Sequence, residues 1–198
     1  MDDDQFLVLN SVYLRKLASP QILQECSGLP RAQALAIAVE QAEQGVLIDV
    51  GGENFMLTDD GAQIVLAEYR GRYGELRQSA EVEQWYQRFE TVNTQFLATL
   101  SAWQTGGEDD AQLGRLIRLV ERHARALRGM SDTVPRYARY ADRLEAALAR
   151  IDNGENEFVT SPMVDSVHNA WFEFHEDILT LLGRPRDVAE AEAAKDQR

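Results

Sequence analysis

The sequence predicts a mainly α-helical fold, in which a winged helix-turn-helix with a small β-hairpin wing precedes an all-helical domain. Apolar residues recur at intervals of three and four over most of the 198-residue chain, which is the period of a helix with one buried face. After Gly45 the pattern changes to two short β-type runs, VLIDV and FMLT, on either side of the turn sequence GGEN. The order helix, helix, helix, hairpin, helix is that of a winged helix-turn-helix.

Capping residues indicate where the helices of the first domain begin and end. Ser19 precedes a proline, which is the usual pairing of an N-cap with proline at the first helical position. Gly28 is expected to end that short helix, and Pro30 to stand near the start of the third helix. Thr58, followed by two aspartates, is expected to cap the helix after the hairpin.

These signals divide the chain into two domains and a tail. Residues 5–75 are expected to form the winged-helix domain, and residues 76–183 the helical domain. Residues 184–198, RPRDVAEAEAAKDQR, are rich in alanine and glutamate and have little to bury, so we expect a flexible tail. The first helix of the second domain is rich in aromatic residues, which indicates either core or a homodimer seam: Trp85, Tyr86, Phe89, Phe96 and Trp103.

Composition limits the classes of function. The chain is 44% hydrophobic, lacks an apolar run long enough to cross a membrane, and begins with an acidic segment unlike a signal peptide. With Cys26 as the single cysteine, an internal disulfide is excluded, and we expect a cytoplasmic protein without a cofactor. The formal net charge is −13, and residues 1–75 alone carry 5 lysines and arginines against 12 aspartates and glutamates. This excess argues against strong non-specific DNA affinity, although a local basic patch could still bind DNA.

The third helix is the candidate DNA-reading element of the first domain. In this fold the third helix enters the major groove, where arginine, lysine, asparagine and glutamine read base edges. The candidates here are Arg31, Gln33 and Gln41. Glu40 and Glu43 lie on the same helix, and the wing sequence DVGGENF has no lysine or arginine. The domain is therefore expected to bind DNA weakly, to bind only as a dimer, or to serve as a protein-interaction module on a winged-helix scaffold.

Two series of arginines follow helical spacing in the second domain. They fit a basic surface for DNA phosphates or an anionic ligand. They equally fit the polar faces of two amphipathic helices, balanced by acidic neighbours such as Glu121, Asp142 and Glu145, and this is the interpretation we favour. The series are Arg115, Arg118, Arg122 and Arg125, and then Arg136, Arg139, Arg143 and Arg150.

The run SVHNAWFEFHEDILTLLG is the part of the chain densest in groups that bind metals or move protons. A zinc-protease motif needs a second histidine four residues after His175, and that position holds Leu179. His168 and His175 stand two helical turns apart, about 10 Å of rise, which is too far for one ion. We therefore expect no metal site, and because no catalytic motif is complete we expect no enzyme.

Two interpretations of this run remain. In the first it is an amphipathic core helix whose carboxylates pair with arginines of the preceding helices: Glu173, Glu176 and Asp177 with Arg136, Arg139 or Arg143. In the second, His168, Trp171 and His175 line a pocket for a small-molecule effector. Glu173 and Asp177 are four residues apart and share a turn, so they could hold a metal with help from another helix, for instance through His123, which is a conjecture.

Two parts of the chain resemble known regulators. SGLPRAQ…EQGVL and LTDDGAQ resemble the MarR-like winged helix, the second through the L-T-x-x-G that follows the wing. YARYADRLEAALARIDNGENEF (137–158) and SVHNAWFEFHEDILTLLGRPR (166–186) are similar to a helical domain of actinobacterial winged-helix transcriptional regulators. The resemblance implies a regulator that binds DNA as a homodimer, with a helical domain for dimerisation or for sensing a small molecule.

Overall fold

The computed structural model describes residues 1–107 and 109–184. The predicted mainly helical fold with one small hairpin is confirmed. The predicted flexible tail, 184–198, lies outside the described residues apart from Arg184. The elements in chain order are α1 (Asp3–Arg15), α2 (Pro20–Ser27), α3 (Arg31–Glu43), β1 (Leu47–Asp49), β2 (Phe55–Leu57), α4 (Asp59–Tyr73), a 3₁₀ turn (Leu76–Gln78), α5 (Ala80–Thr105), α6 (Asp110–Met130), α7 (Tyr137–Asp152), α8 (Glu157–Thr160) and α9 (Val167–Leu182).

The chain divides into two compact units. The first unit combines residues 1–79 with the segment that begins at His175, and the second unit is Ala80–Phe174. The first unit is therefore built from two separate stretches of chain, and α9 starts in one unit and ends in the other. None of the described helices combines the length and apolar composition that a membrane crossing requires.

The predicted caps bound the helices of the first unit. The Ser19 hydroxyl accepts a hydrogen bond from the Ile22 amide and caps α2, which ends at Gly28 in the left-handed conformation (φ +80°). Thr58 Oγ1 accepts from the Gly61 amide at 2.9 Å and also donates to the carbonyl of Gly45 or Val46, at 3.0 and 3.1 Å. One hydroxyl thus ties the start of α4 to the chain entering the hairpin.

The hairpin is a short antiparallel pair attached to the turn after α1. Leu47 pairs with Leu57, Ile48 with Met56 and Asp49 with Phe55. The Ala18 amide donates to the Phe55 carbonyl at 3.0 Å, and the Phe55 amide donates to the Ala18 carbonyl at 2.9 Å. The turn passes through three residues with positive φ, Gly51, Gly52 and Glu53. The two glycines adopt this conformation without strain.

The core of the first unit contains a buried polar chain. Tyr69 of α4 donates through its hydroxyl to Asn10 Oδ1 of α1 at 2.7 Å. The Asn10 amide approaches Asp177 Oδ2 at 3.5 Å, and Asp177 is fully buried. Arg77 donates to the carbonyl oxygens of Leu181 and Thr180 at 2.7 and 3.2 Å, so a guanidinium satisfies the C-terminal carbonyls of α9.

The core of the second unit is aromatic. Phe96 of α5 stacks on Trp171 of α9 with ring centroids 3.9 Å apart, and Trp171 Nε1 donates to Asn93 Oδ1 at 2.9 Å. The aromatic residues of α5 are core, apart from the half-buried Trp85. The buried members are Tyr86, Phe89, Phe96 and Trp103.

Candidate functional site

The exposed start of α3 holds two of the three predicted DNA-reading residues. Arg31 is the first residue of α3 and is exposed. Gln33 is also exposed, and its amide donates to Asp4 Oδ2 of α1 at 2.7 Å. Both side chains are at the surface, with Gln33 already held by a carboxylate of the same unit.

Gln41 does not reach the surface, which corrects its place in the predicted set. Its side chain is only 6% exposed and donates to Gln44 Oε1 at 3.2 Å. Ala34, Ala38 and Gln41 recur at helical spacing and form the buried stripe of α3. The stripe turns Gln41 inward, whereas Arg31 is exposed as the first residue of the helix.

The surface of the hairpin is apolar and acidic. Ile48 and Met56 are cross-strand partners, and both are exposed, at 50% and 41%. Val50, which directly follows β1, is 52% exposed. Asp49 and Glu53 supply the charges of the hairpin, which has no cation. A DNA phosphate at the hairpin would contact apolar side chains and carboxylates, and no cation of the hairpin could bind it.

The predicted effector pocket on α9 is not an open pocket. Trp171 is fully buried beneath Phe96, and its indole nitrogen is occupied by Asn93. His175 is 3% exposed, whereas His168 is half-buried with its ring 4.4 Å from that of Phe172. Positions 171, 174, 175 and 178 follow the helical period and are all buried, so they form a buried stripe of α9.

The acidic residues of this run have structural partners instead. Arg143 of α7 is 6% exposed and donates through Nη1 to Glu173 Oε2 at 2.8 Å. Its Nε and Nη2 donate to the two oxygens of Asp165 at 2.9 and 2.7 Å. The expected pairing of Glu173 with an α7 arginine is confirmed. Asp165 was not predicted as a partner of Arg143, because it precedes α9 and the helical period therefore assigns it to no face.

The two arginine series have different environments. The members on α6 are all exposed: Arg115, Arg118, Arg122 and Arg125. Those on α7 are largely engaged, since Arg143 is buried and Arg150 pairs with Glu155 at the surface. Arg128, after the α6 series, donates to Asp142 and Glu145 at 2.9 and 2.6 Å, and these hydrogen bonds raise the pKa of its guanidinium. The exposed cations of the second unit therefore concentrate on α6.

A groove of about 610 Å³ lies between α5 and α6, and we call it the α5–α6 groove. Trp85 and Phe89 of α5 form part of its wall, and their rings stack at 6.1 Å. Ala126 and Gly129 of α6 are small, so the opposite wall leaves space. None of the three predicted effector residues lines it. The sequence marked α5 as aromatic, but only the packing of α6 against it creates the groove.

His123, which also lines the groove, is packed among aromatic rings. Its ring centroid lies 5.0 Å from Phe89, 4.4 Å from Trp171 and 5.0 Å from Phe174. Within residues 1–107 and 109–184, no group of three histidine, cysteine, aspartate or glutamate side chains is placed to hold a metal ion. The conjectured partners of a His123 metal site are elsewhere, Glu173 on Arg143 and Asp177 near Asn10.

No protein-family model matches the chain, and comparisons with curated proteins and with solved structures found no significant match.

Proposed function

We propose that this protein is a transcriptional regulator that binds DNA as a homodimer through a winged helix-turn-helix in residues 5–75. The observation that carries the proposal is the attachment of the hairpin. The Ala18–Phe55 bridge joins the turn between α1 and α2 to β2, so α1, α2, α3 and the hairpin surround one core. This arrangement supports the proposal, because a winged helix has to present its third helix and its wing from one body.

The DNA contacts are assigned to the exposed start of α3. Arg31 supplies the cation, and Gln33 exchanges its Asp4 partner for a base edge or phosphate. Gln41 is omitted because it is buried. Because α3 offers one cation per protomer, a single copy is expected to bind weakly, and two copies are needed for useful affinity. The helical domain, residues 76–183, is proposed to bring the two copies together.

The test is binding of the full chain to labelled DNA from upstream of its own gene, measured by fluorescence anisotropy at 50 and 200 mM salt. We expect specific, salt-sensitive binding, and light scattering should show a dimer. Arg31→Ala should weaken binding roughly tenfold, the size of one good base or phosphate contact. Arg150→Ala, at an exposed arginine of α7, changes the net charge equally and should leave binding unchanged. Equal effects of the two variants, or salt-independent binding, would contradict the proposal.

A second candidate is a protein-interaction module without DNA binding. The observation that favours it is the exposed apolar pair Ile48 and Met56 in a hairpin without cations. On this hypothesis Met56→Glu abolishes the function in the cell while Arg31→Ala has no effect. On the regulator hypothesis, Arg31→Ala should have the larger effect on function and Met56→Glu the smaller one.

A further inference from the structure

We propose that the α5–α6 groove binds a small aromatic anion, with its ring against Trp85 and Phe89 and its negative group held by Arg122. The inference does not depend on DNA binding by the first unit. All residues of the groove belong to the second unit, so the site is contained within one compact body.

The size and the walls of the groove favour a flat apolar group. A volume of about 610 Å³ is within the range of small-molecule sites. Trp85 is half-buried, so part of a large aromatic surface remains in contact with water in the free protein. Val92 and Met130 add further apolar wall. A planar ring placed here would remove aromatic and aliphatic surface from water and stack on Trp85 or Phe89.

The charges at the groove favour an anion. Arg88 of α5 and Arg122 of α6 line opposite walls, and both are exposed. Arg122 donates to Gln95 Oε1 at 2.8 Å and Arg88 to the Gln84 carbonyl at 3.2 Å, and both acceptors are neutral. Among the residues that the structure describes, neither guanidinium forms an ion pair. Arg128, Arg143 and Arg150 of the same unit are each neutralised by carboxylates.

Glu81, the one carboxylate among the described residues that line the groove, does not oppose this assignment. Glu81 lies in the first turn of α5, where the helix dipole favours a negative charge. It stands fourteen residues before Gln95, the hydrogen-bond partner of Arg122, which is about 20 Å along the helix. A carboxylate, sulfonate or phosphate group near Arg122 would thus be separated from Glu81 by more than the length of an aromatic ring system.

Gly129 allows the groove to be closed selectively. It is helical, and a Cβ added there meets no atom within 4 Å. Gly129→Phe therefore places a side chain in open space. Gly114→Phe is the matched control on the same helix, because Gly114 does not line the groove and its added Cβ would make only an ordinary contact, 3.6 Å from Arg118 Nη1.

The experiment is calorimetric titration of the full chain with 2-naphthoate, and with the neutral 2-naphthamide as matched probe. We expect naphthoate to bind saturably. The amide should bind at least roughly tenfold more weakly than naphthoate, because it carries no charge for the arginines to bind. Gly129→Phe should abolish binding and Gly114→Phe should retain it. Arg122→Gln, at an exposed position, should weaken naphthoate binding but leave binding of the amide unchanged. Arg88→Gln is the matched control and should have a smaller effect, because the Arg88 guanidinium is directed toward Gln84.

Three results would overturn the proposal: no saturable binding of naphthoate, equal binding of the amide, or unchanged binding by Gly129→Phe. Circular dichroism and thermal unfolding of both glycine variants report whether they fold. If Gly129→Phe does not fold, the arginine variants decide, since a naphthoate affinity that Arg122→Gln does not lower also contradicts the assignment. Quenching of Trp85 emission provides a second readout, and it should vanish in Trp85→Phe.

Discussion

At the residue scale, two glycines of α4 illustrate opposite requirements. A Cβ on Gly61 would lie 2.1 Å from the Val46 carbonyl oxygen, a distance that real atoms do not reach. The glycine of the sequence LTDDG is therefore needed because α4 begins against the backbone leading into β1. Gly71, ten residues later in the same helix, has nothing within 4 Å of an added Cβ.

We expect Gly61→Ala to lower the free energy of unfolding by about 2 kcal/mol or more, because backbone has to move. Gly71→Ala should raise it by about 0.5–1 kcal/mol, since alanine favours the helix. Urea denaturation of the two variants measures both changes. A Gly61→Ala protein as stable as the parent would show that α4 does not approach Val46 so closely.

At the element scale, Arg143 joins α7 to the start of α9. It is buried and bonds two carboxylates, so removing it leaves Glu173 and Asp165 without their shared cation. We expect Arg143→Met to lower the free energy of unfolding by about 3–5 kcal/mol. Arg143→Lys should also destabilise, because an ammonium cannot replace a planar fork that reaches both carboxylates.

A rescue variant separates lost charge balance from lost packing. Arg143→Met combined with Asp165→Asn and Glu173→Gln removes the uncompensated charges and should recover part of the stability. Thermal unfolding of the single and triple variants makes the comparison. No recovery in the triple variant would mean that the guanidinium matters for its packing rather than for its charge.

The elements show which features periodicity and capping could predict. Ser19, Gly28 and Thr58 marked helix boundaries correctly, because caps depend on local chemistry. The inward position of Gln41 could also have been predicted from the sequence, because Gln41 continues the stripe of Ala34 and Ala38. The α5–α6 groove could not have been predicted, because it depends on small residues of one helix packing opposite aromatic residues of another. Periodicity assigns a face to each helix but does not pair the faces.

At the scale of the whole molecule, the fold depends on pH through a few defined groups. Glu68 of α4 is partly buried, which by itself raises the pKa of its carboxyl. Hydrogen bonds from Arg72, at 2.8 Å, and from the chain's amino terminus, at 3.3 Å, outweigh burial, and the net pKa lies below the ordinary value of 4.5. A carboxyl with a lowered folded pKa stabilises the fold above its unfolded pKa, and that stability is lost as the pH falls through the folded value.

We therefore expect Glu68→Gln to be less stable than the parent near pH 7, with a difference that shrinks below about pH 4.5. Urea denaturation of both proteins between pH 3 and 7 measures this difference. Comparing them at each pH cancels the change in repulsion that acidification causes throughout a protein of net charge −13. A difference that grows on acidification would contradict the assigned direction of the pKa shift.

The division of the first unit into two stretches of chain has a consequence for its synthesis. Asn10 and Arg77 form their contacts with Asp177 and with the carbonyls at the end of α9. The ribosome has to make all of Ala80–Phe174 before any of those partners exists. The part of the protein that is translated first is thus completed last. The second unit is a single uninterrupted stretch, so all its residues are synthesised before the C-terminal segment of the first unit. The early helices of the first unit therefore form their last contacts after the second unit is complete in sequence.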